Sequence, residues 1–401
     1  MLPNGLRVLT ERLGHVDSVS LGVWLAAGLK DEPPGQEGIN HFLEHMLFKG
    51  THTRSALQIA QASDDIGGQV NGFTEREFMY LYARTISEQV EAGLELLFDL
   101  LLHSVCAPEE VKREQEVVLQ EIRHVEDTPE DWVHDLLLET AWPSHPLGRQ
   151  LMGTPESVLG ADREPLLSRL AELRYADRVI VTAAGDVDHG RVVDLVADLV
   201  EELAPGPAAV SEVPPAFKPD HLRIPRATGQ VHFAMGTPGC GRRDEAHHAY
   251  AVLDAILGGG ASSRLFQQIR ENRGLAYSIS SYLQSYRWAG LFSIDAGTGP
   301  KDFDLVIELI GQEIERLREE GPSPPELERA RTQLKVAIAL AAESTSFRMQ
   351  HLAVSEMYWG RVLSFDEIAA GVEAVTAEDV HRLAAQVFTP ERQALVAIGP
   401  F

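Results

Sequence analysis

The chain has 401 residues and a formal net charge of −25, from 60 acidic and 35 basic side chains. That balance argues against nucleic acid and anionic membrane surfaces as partners, because both would repel it, while it permits basic peptides. No stretch is apolar for the length needed to cross a bilayer, and 44% hydrophobic with 24% charged residues is the make-up of a globular chain with room for two or three cores.

The opening, MLPNGLRVLTERLG, has neither a basic region ahead of an apolar run nor the Arg/Ser-rich character of a transit peptide, so it reads as a first strand. Val19–Ala27 is the next strand, closed by Gly28 and the turn-rich DEPPGQEG. INHFLEHMLFKGT, Ile39–Thr51, follows. In a helix, spacings of three and four put His41, Glu44 and His45 on one face. Two imidazoles one turn apart can hold a Zn²⁺, one per chain, and the carboxylate between them can reach a water on that metal. H-x-x-E-H inverts the commoner zinc-protease order. Taken alone, the five residues also fit a core helix with incidental histidines, since Phe42, Leu43, Met46, Leu47 and Phe48 are apolar.

Ser55–Ile66 has helical periodicity and ends at Gly67–Gly68. Asn71 sits in an NGF turn before an aromatic strand, Phe78–Ala83. Ser87–Leu102 is helical, with Val90, Leu94, Leu97 and Leu101 on one face. Pro108 opens a helix through Glu126, where a missing N–H costs little. Further helices are expected from Thr128–Pro129 to Trp142, near Asp162–Leu173 and from Asp188 to Leu203, with a strand at Val179–Ala184. Cys106 and Cys240 are far apart and in no metal spacing, so they read as free thiols of a reducing compartment, and the cytoplasm is the expected location.

Ala204–Pro225 holds six of the chain's 22 prolines and reads as a linker without regular structure. After it the element order recurs. A strand near Gln230–Gly236 leads to helices at Glu245–Leu257 and Ser263–Glu271, then to aromatic strands through Tyr277–Ala296. Long helices at Lys301–Glu320 and Pro325–Trp359 follow, with a shorter one after Thr376, and the last strand, Ala394–Gly399, resembles Val179–Gly185. Gly258–Gly260 lacks the surroundings of a phosphate loop and reads as a helix end, and His247–His248 are placed on the surface. The expected fold is therefore α+β, with two similar domains, 1–204 and 226–401, joined by the Pro-rich 205–225. Each is a mostly antiparallel mixed sheet packed with helices.

Two histidines leave a catalytic zinc one protein ligand short. Glu121 is the best candidate, at the border of an apolar helix face, and Glu114, seven residues earlier, shares that face. One carboxylate could then reach the metal and the other support a ligand, although two glutamates on a helix also describe a solvated stripe.

HFLEH followed by Glu121 in EQEVVLQEIRHVEDTPEDW, together with NGLRV, QVNGFTEREFMYLYA and GGGASSRLFQQIRENRGLAYSIS, resembles the pitrilysin family of inverted zinc metallopeptidases. The likeness is greatest to the bacterial relatives of the processing-peptidase β-subunit, and it spans nearly the whole chain. It implies that His41, His45 and Glu121 bind zinc, that Glu44 is the general base, and that Glu114 is a supporting acid. Arg270 and Tyr277 would grip the substrate backbone and stabilise the oxyanion, and Asn71 would lie beside a peptide bound as an added strand. Asp131 and Asp135 match acids that recognise basic side chains. The family's long members build a chamber from two clam-like halves, and this chain resembles one half. A homodimer with active sites shared between subunits is thus expected. The competing reading, a non-catalytic partner or scaffold subunit, fits relatives that have lost metal ligands or the base, which this chain retains.

Overall fold

The computed structural model describes residues 1–207 and 213–401. They form two compact units: residues 1–124, the described part of 149–212 and 341–362 make unit 1, and residues 125–148, 213–340 and 363–401 make unit 2.

Each unit holds one five-stranded sheet. In unit 1 the strands are β1 (Arg7–Arg12), β2 (Ser18–Leu25), β3 (Gln69–Thr74), β4 (Met79–Ile86) and β5 (Val179–Gly185), in the order β1-β5-β2-β4-β3. Unit 2 has β6 (His221–Pro225), β7 (Val231–Gly239), β8 (Ala276–Ser285), β9 (Gly290–Thr298) and β10 (Ala394–Gly399), ordered β6-β10-β7-β9-β8. Among the described residues only the β1–β5 and β6–β10 pairs are parallel. The two orders are the same topology written twice, and the fold class is α+β.

β5 and β10 are buried along their whole length, which explains why VIVTAAG and ALVAIG look alike: a strand covered on both faces carries an unbroken apolar run. Each sheet obtains part of that cover from the other half of the chain. Helix Thr345–Trp359 lays Met349, Ala353 and Met357 on Trp24, Ile180 and Ala184 of unit 1. Helix Pro129–Ala141 lays Val133 and Leu137 on Ala234 and Val396 of unit 2.

Several local expectations need correcting. The expected linker is not wholly irregular, since His221–Pro225 pairs with β10 as an edge strand, and Pro225 ends it, a place that tolerates a missing N–H; residues 208–212 of that stretch lie outside the described residues. Pro325–Trp359 is two helices, Pro324–Ala341 and Thr345–Trp359, because the Ser344 side chain accepts from the Phe347 N–H and starts a new helix. Helices Pro155–Gly160 and Phe365–Ala374 add to those expected from periodicity. The stretch after Ser263 winds as a π-helix over Phe266–Glu271. Asn71 lies within β3, the sheet's edge strand, and not in a turn. His247 is largely buried, and burial first, then Arg242 and His248, push its pKa down to about 4.

Candidate active site

The motif residues form helix Ile39–Leu47. Ile39, Phe42, Leu43, Met46 and Leu47 are buried in the unit 1 core, which leaves His41, Glu44 and His45 on the half-buried opposite side. The helix start is held by a buried polar network. Glu32 accepts from the N–H groups of Gly38 at 2.7 Å and Asn40 at 2.9 Å, while Asn40 donates to the Gly28 carbonyl and accepts from Arg169. Burial raises the Glu32 pKa to about 7, against the lowering effect of those bonds and of Arg169 and Arg149. Gly38 has φ +83°, and a Cβ there would lie 2.3 Å from the Met152 carbonyl oxygen, so the helix can begin here only on glycine.

Helix Pro108–Glu126 crosses opposite and brings two of its glutamates, Glu114 and Glu121, to the histidines. Glu121 Oε2 lies 3.8 Å from His41 Nε2 and 3.5 Å from His45 Nε2. One donor atom from each of these three residues falls within 4.8 Å of the others. Bonds of about 2.0–2.1 Å in a tetrahedron separate ligand atoms by roughly 3.3 Å, so the Glu121 contacts at 3.5 and 3.8 Å are near that spacing and the widest pair, up to 4.8 Å, would close by at most about 1.5 Å to hold Zn²⁺. Two neutral imidazoles and a carboxylate are also the donor chemistry of catalytic zinc. Burial, then the neighbouring His45, hold the His41 pKa down at about 3, which keeps its ring in the neutral, metal-binding form.

The remaining atoms are arranged around this cluster. Glu114, 4% exposed, holds His45 Nδ1 at 3.2 Å with one oxygen and Lys49 Nζ at 2.7 Å with the other. That contact fixes the ring so that Nε2 faces Glu121. His41 Nδ1 is buried and has no such partner among the described residues. Glu44 accepts from Thr74 Oγ1 at 2.5 Å, and burial raises its pKa, with the Thr74 bond opposing.

Asn71 is exposed on β3, where its side chain accepts from the Gly72 N–H. The other expected residues belong to unit 2. The Arg270 guanidinium lies over the rings of Phe266 at 4.7 Å and Tyr277 at 5.2 Å, and Tyr277 is 79% exposed. Asp131 is exposed and Asp135 half-buried on helix Pro129–Ala141. Sequence reasoning missed Thr74 and Lys49. Lys49 stood in the quoted HFLEHMLFKGT run and Thr74 in QVNGFTEREF, but neither has a helical spacing to its partner.

Residues 7–155 match the profile of the insulinase family, peptidase family M16, and residues 162–334 match that of the peptidase M16 inactive domain. The metal-capable cluster lies within the first match. The chain is 38% identical to an uncharacterized zinc protease, YmxG, of Bacillus subtilis, over 99% of this chain and 97% of that one. It is 39% identical to the uncharacterized zinc protease SCO5738 of Streptomyces coelicolor, over 100% of this chain and 88% of that one. Two solved structures share the fold with TM-scores of 0.93 at 20% identity: a peptidase M16 inactive domain from Pseudomonas fluorescens and a protease from Helicobacter pylori. Each alignment covers 100% of this chain, with 96% and 98% of the respective structures.

Proposed function

The chain belongs to peptidase family M16, and from that membership we propose that it is a zinc-dependent endopeptidase acting on unfolded peptides. One observation carries the reading: His41 Nε2 and His45 Nε2 converge on one oxygen of Glu121, with the Glu44 carboxylate beside them on the same helix face. In this reading His41, His45 and Glu121 hold one Zn²⁺, and Glu114 orients His45. The metal supplies Lewis acidity toward a carbonyl oxygen and toward water.

The peptide adds as a strand to the open edge of β3, beside Asn71, where main-chain hydrogen bonds give affinity with little regard to sequence. Glu44 takes the proton of the attacking water and returns it to the leaving amine, and its desolvation strengthens it as a base. Arg270 and Tyr277 supply positive charge and a hydroxyl for the developing oxyanion and grip the substrate backbone. We assign that pair to a second copy of the chain, in a homodimer whose closed chamber excludes folded proteins and whose every site joins unit 1 of one copy to unit 2 of the other. Asp131 and Asp135 favour substrates with a basic side chain near the scissile bond, as in presequence-like segments, and the cytoplasm is the proposed compartment.

The test is to incubate the zinc-loaded protein with a mixed peptide library and identify fragments by mass spectrometry. Internal cleavage, enriched beside Arg or Lys, supports the reading. An uncut library contradicts it.

A further inference from the structure

A glutamate side chain has three rotatable bonds, so membership of a helix face does not by itself aim its carboxylate. Glu44 is aimed by the neighbouring edge strand. Thr74, the last residue of β3 and 4% exposed, donates its hydroxyl to Glu44 Oε2 at 2.5 Å. Two residues earlier β3 carries Gly72, and a Cβ there would lie 2.8 Å from Glu44 Cγ, so the strand backbone touches the stem of the same side chain. The strand that fixes the stem through Gly72 and one oxygen through Thr74 leaves Oε1 as the oxygen with open acceptor capacity.

We propose that Thr74 is a positioning residue: its hydroxyl holds Glu44 by one carboxylate oxygen so that the other faces the water it deprotonates. The inference rests on the assignment of Glu44 as the proton acceptor.

Unit 2 provides an internal comparison. Helix His247–Leu257 stands between β7 and the edge strand β8, as the motif helix stands between β2 and the edge strand β3. On it Asp254 accepts from Ser281 Oγ of β8 at 2.5 Å. The positions three before and one after Asp254 are Ala251 and Ala255, where Glu44 has His41 and His45. A carboxyl–hydroxyl pair of this kind therefore also occurs without metal-binding neighbours, as a tie between helix and strand. A positioning role for Thr74 must be read from something a tie would not move.

Thr74→Val removes the donor at nearly constant volume, and Thr74→Ser keeps it. With zinc stoichiometry and Tm measured on each, Thr74→Val is expected to keep its metal and to lower kcat about 10-fold with KM within about 2-fold, a fraction of the full worth of a general base. Thr74→Ser should stay within about 3-fold of the wild type, and Ser281→Ala should leave kcat unchanged. A Thr74→Val variant that turns over like the wild type overturns the inference. So do equal losses in the Val and Ser variants, or a loss traced to zinc content or unfolding. If the wild type itself cleaves nothing, the peptidase reading fails. The inference is then decided by crystal structures of the zinc-loaded wild type and Thr74→Val: a Glu44 carboxylate that swings away supports it, and one that stays in place overturns it.

Discussion

Removing Glu114 should weaken metal binding without touching a metal-binding atom. Its carboxylate is 4% exposed and 3.2 Å from His45 Nδ1, on the side of the ring opposite the nitrogen that faces Glu121. Without that acceptor the ring loses its fixed orientation. Loss of such an outer carboxylate typically weakens metal binding 10–100-fold, which is about 1.4–2.8 kcal/mol at 1.4 kcal/mol per decade. Glu114→Gln, which keeps an acceptor but not the charge, should fall at the lower end, and Glu114→Ala at the upper. Competitive titration of the apo-protein with Zn²⁺ against a chromogenic chelator reads the constant directly. Glu116→Ala, two residues away on the same helix and exposed, is the control. A Glu114→Ala protein that folds and binds zinc as tightly as the wild type would refute the reasoning.

Other expectations concern stability, specificity and assembly. Glu326 is pushed up by burial but held at about 2 by hydrogen bonds from Arg264 and Ser323, which outweigh it. Its folded pKa lies below the unfolded value, so its contribution, about 1–3 kcal/mol, is complete above pH 4.5 and is lost as pH falls towards 2. Denaturant titrations of Glu326→Gln should show a shallower acid slope, and an unchanged slope would count against the pair. Asp131→Asn with Asp135→Asn should slow cleavage of Arg-containing peptides more than neutral ones, and salt should erode the difference; equal losses would remove these acids from specificity. Mixing the inactive His45→Ala and Arg270→Ala proteins under subunit exchange should restore activity, because a mixed dimer holds one intact shared site. A mixture that stays inactive despite proven exchange places the site within one chain.

The parts of this arrangement that were legible in the sequence are those set by local periodicity. His41, Glu44 and His45 share a face because helical spacing alone puts them there, and Glu114 and Glu121 share theirs by a two-turn repeat. Thr74 and Lys49 were not legible, since their contacts arise when β3 and helix Pro108–Glu126 pack on the motif helix, and no spacing encodes that. The same holds for helices Pro129–Ala141 and Thr345–Trp359: amphipathic patterning announces a buried face but not which sheet covers it. Ser344 illustrates a signal that was present and outweighed, because a capping serine in a long apolar-periodic stretch ended one helix and began another. Pro225 misled in the opposite direction, by sitting at the one kind of strand end that accepts proline.

Glu44→Gln separates proton transfer from metal binding. The substitution leaves His41, His45 and Glu121 in place and removes only the proton acceptor. Metal analysis and peptide cleavage are measured on wild type and variant from parallel preparations. One zinc per chain is expected in both, with cleavage by the wild type and a loss of at least about 100-fold in the variant. A variant that retains its zinc and cleaves like the wild type would contradict Glu44 as the base, and a zinc-loaded wild type that cleaves no peptide would contradict the enzyme itself.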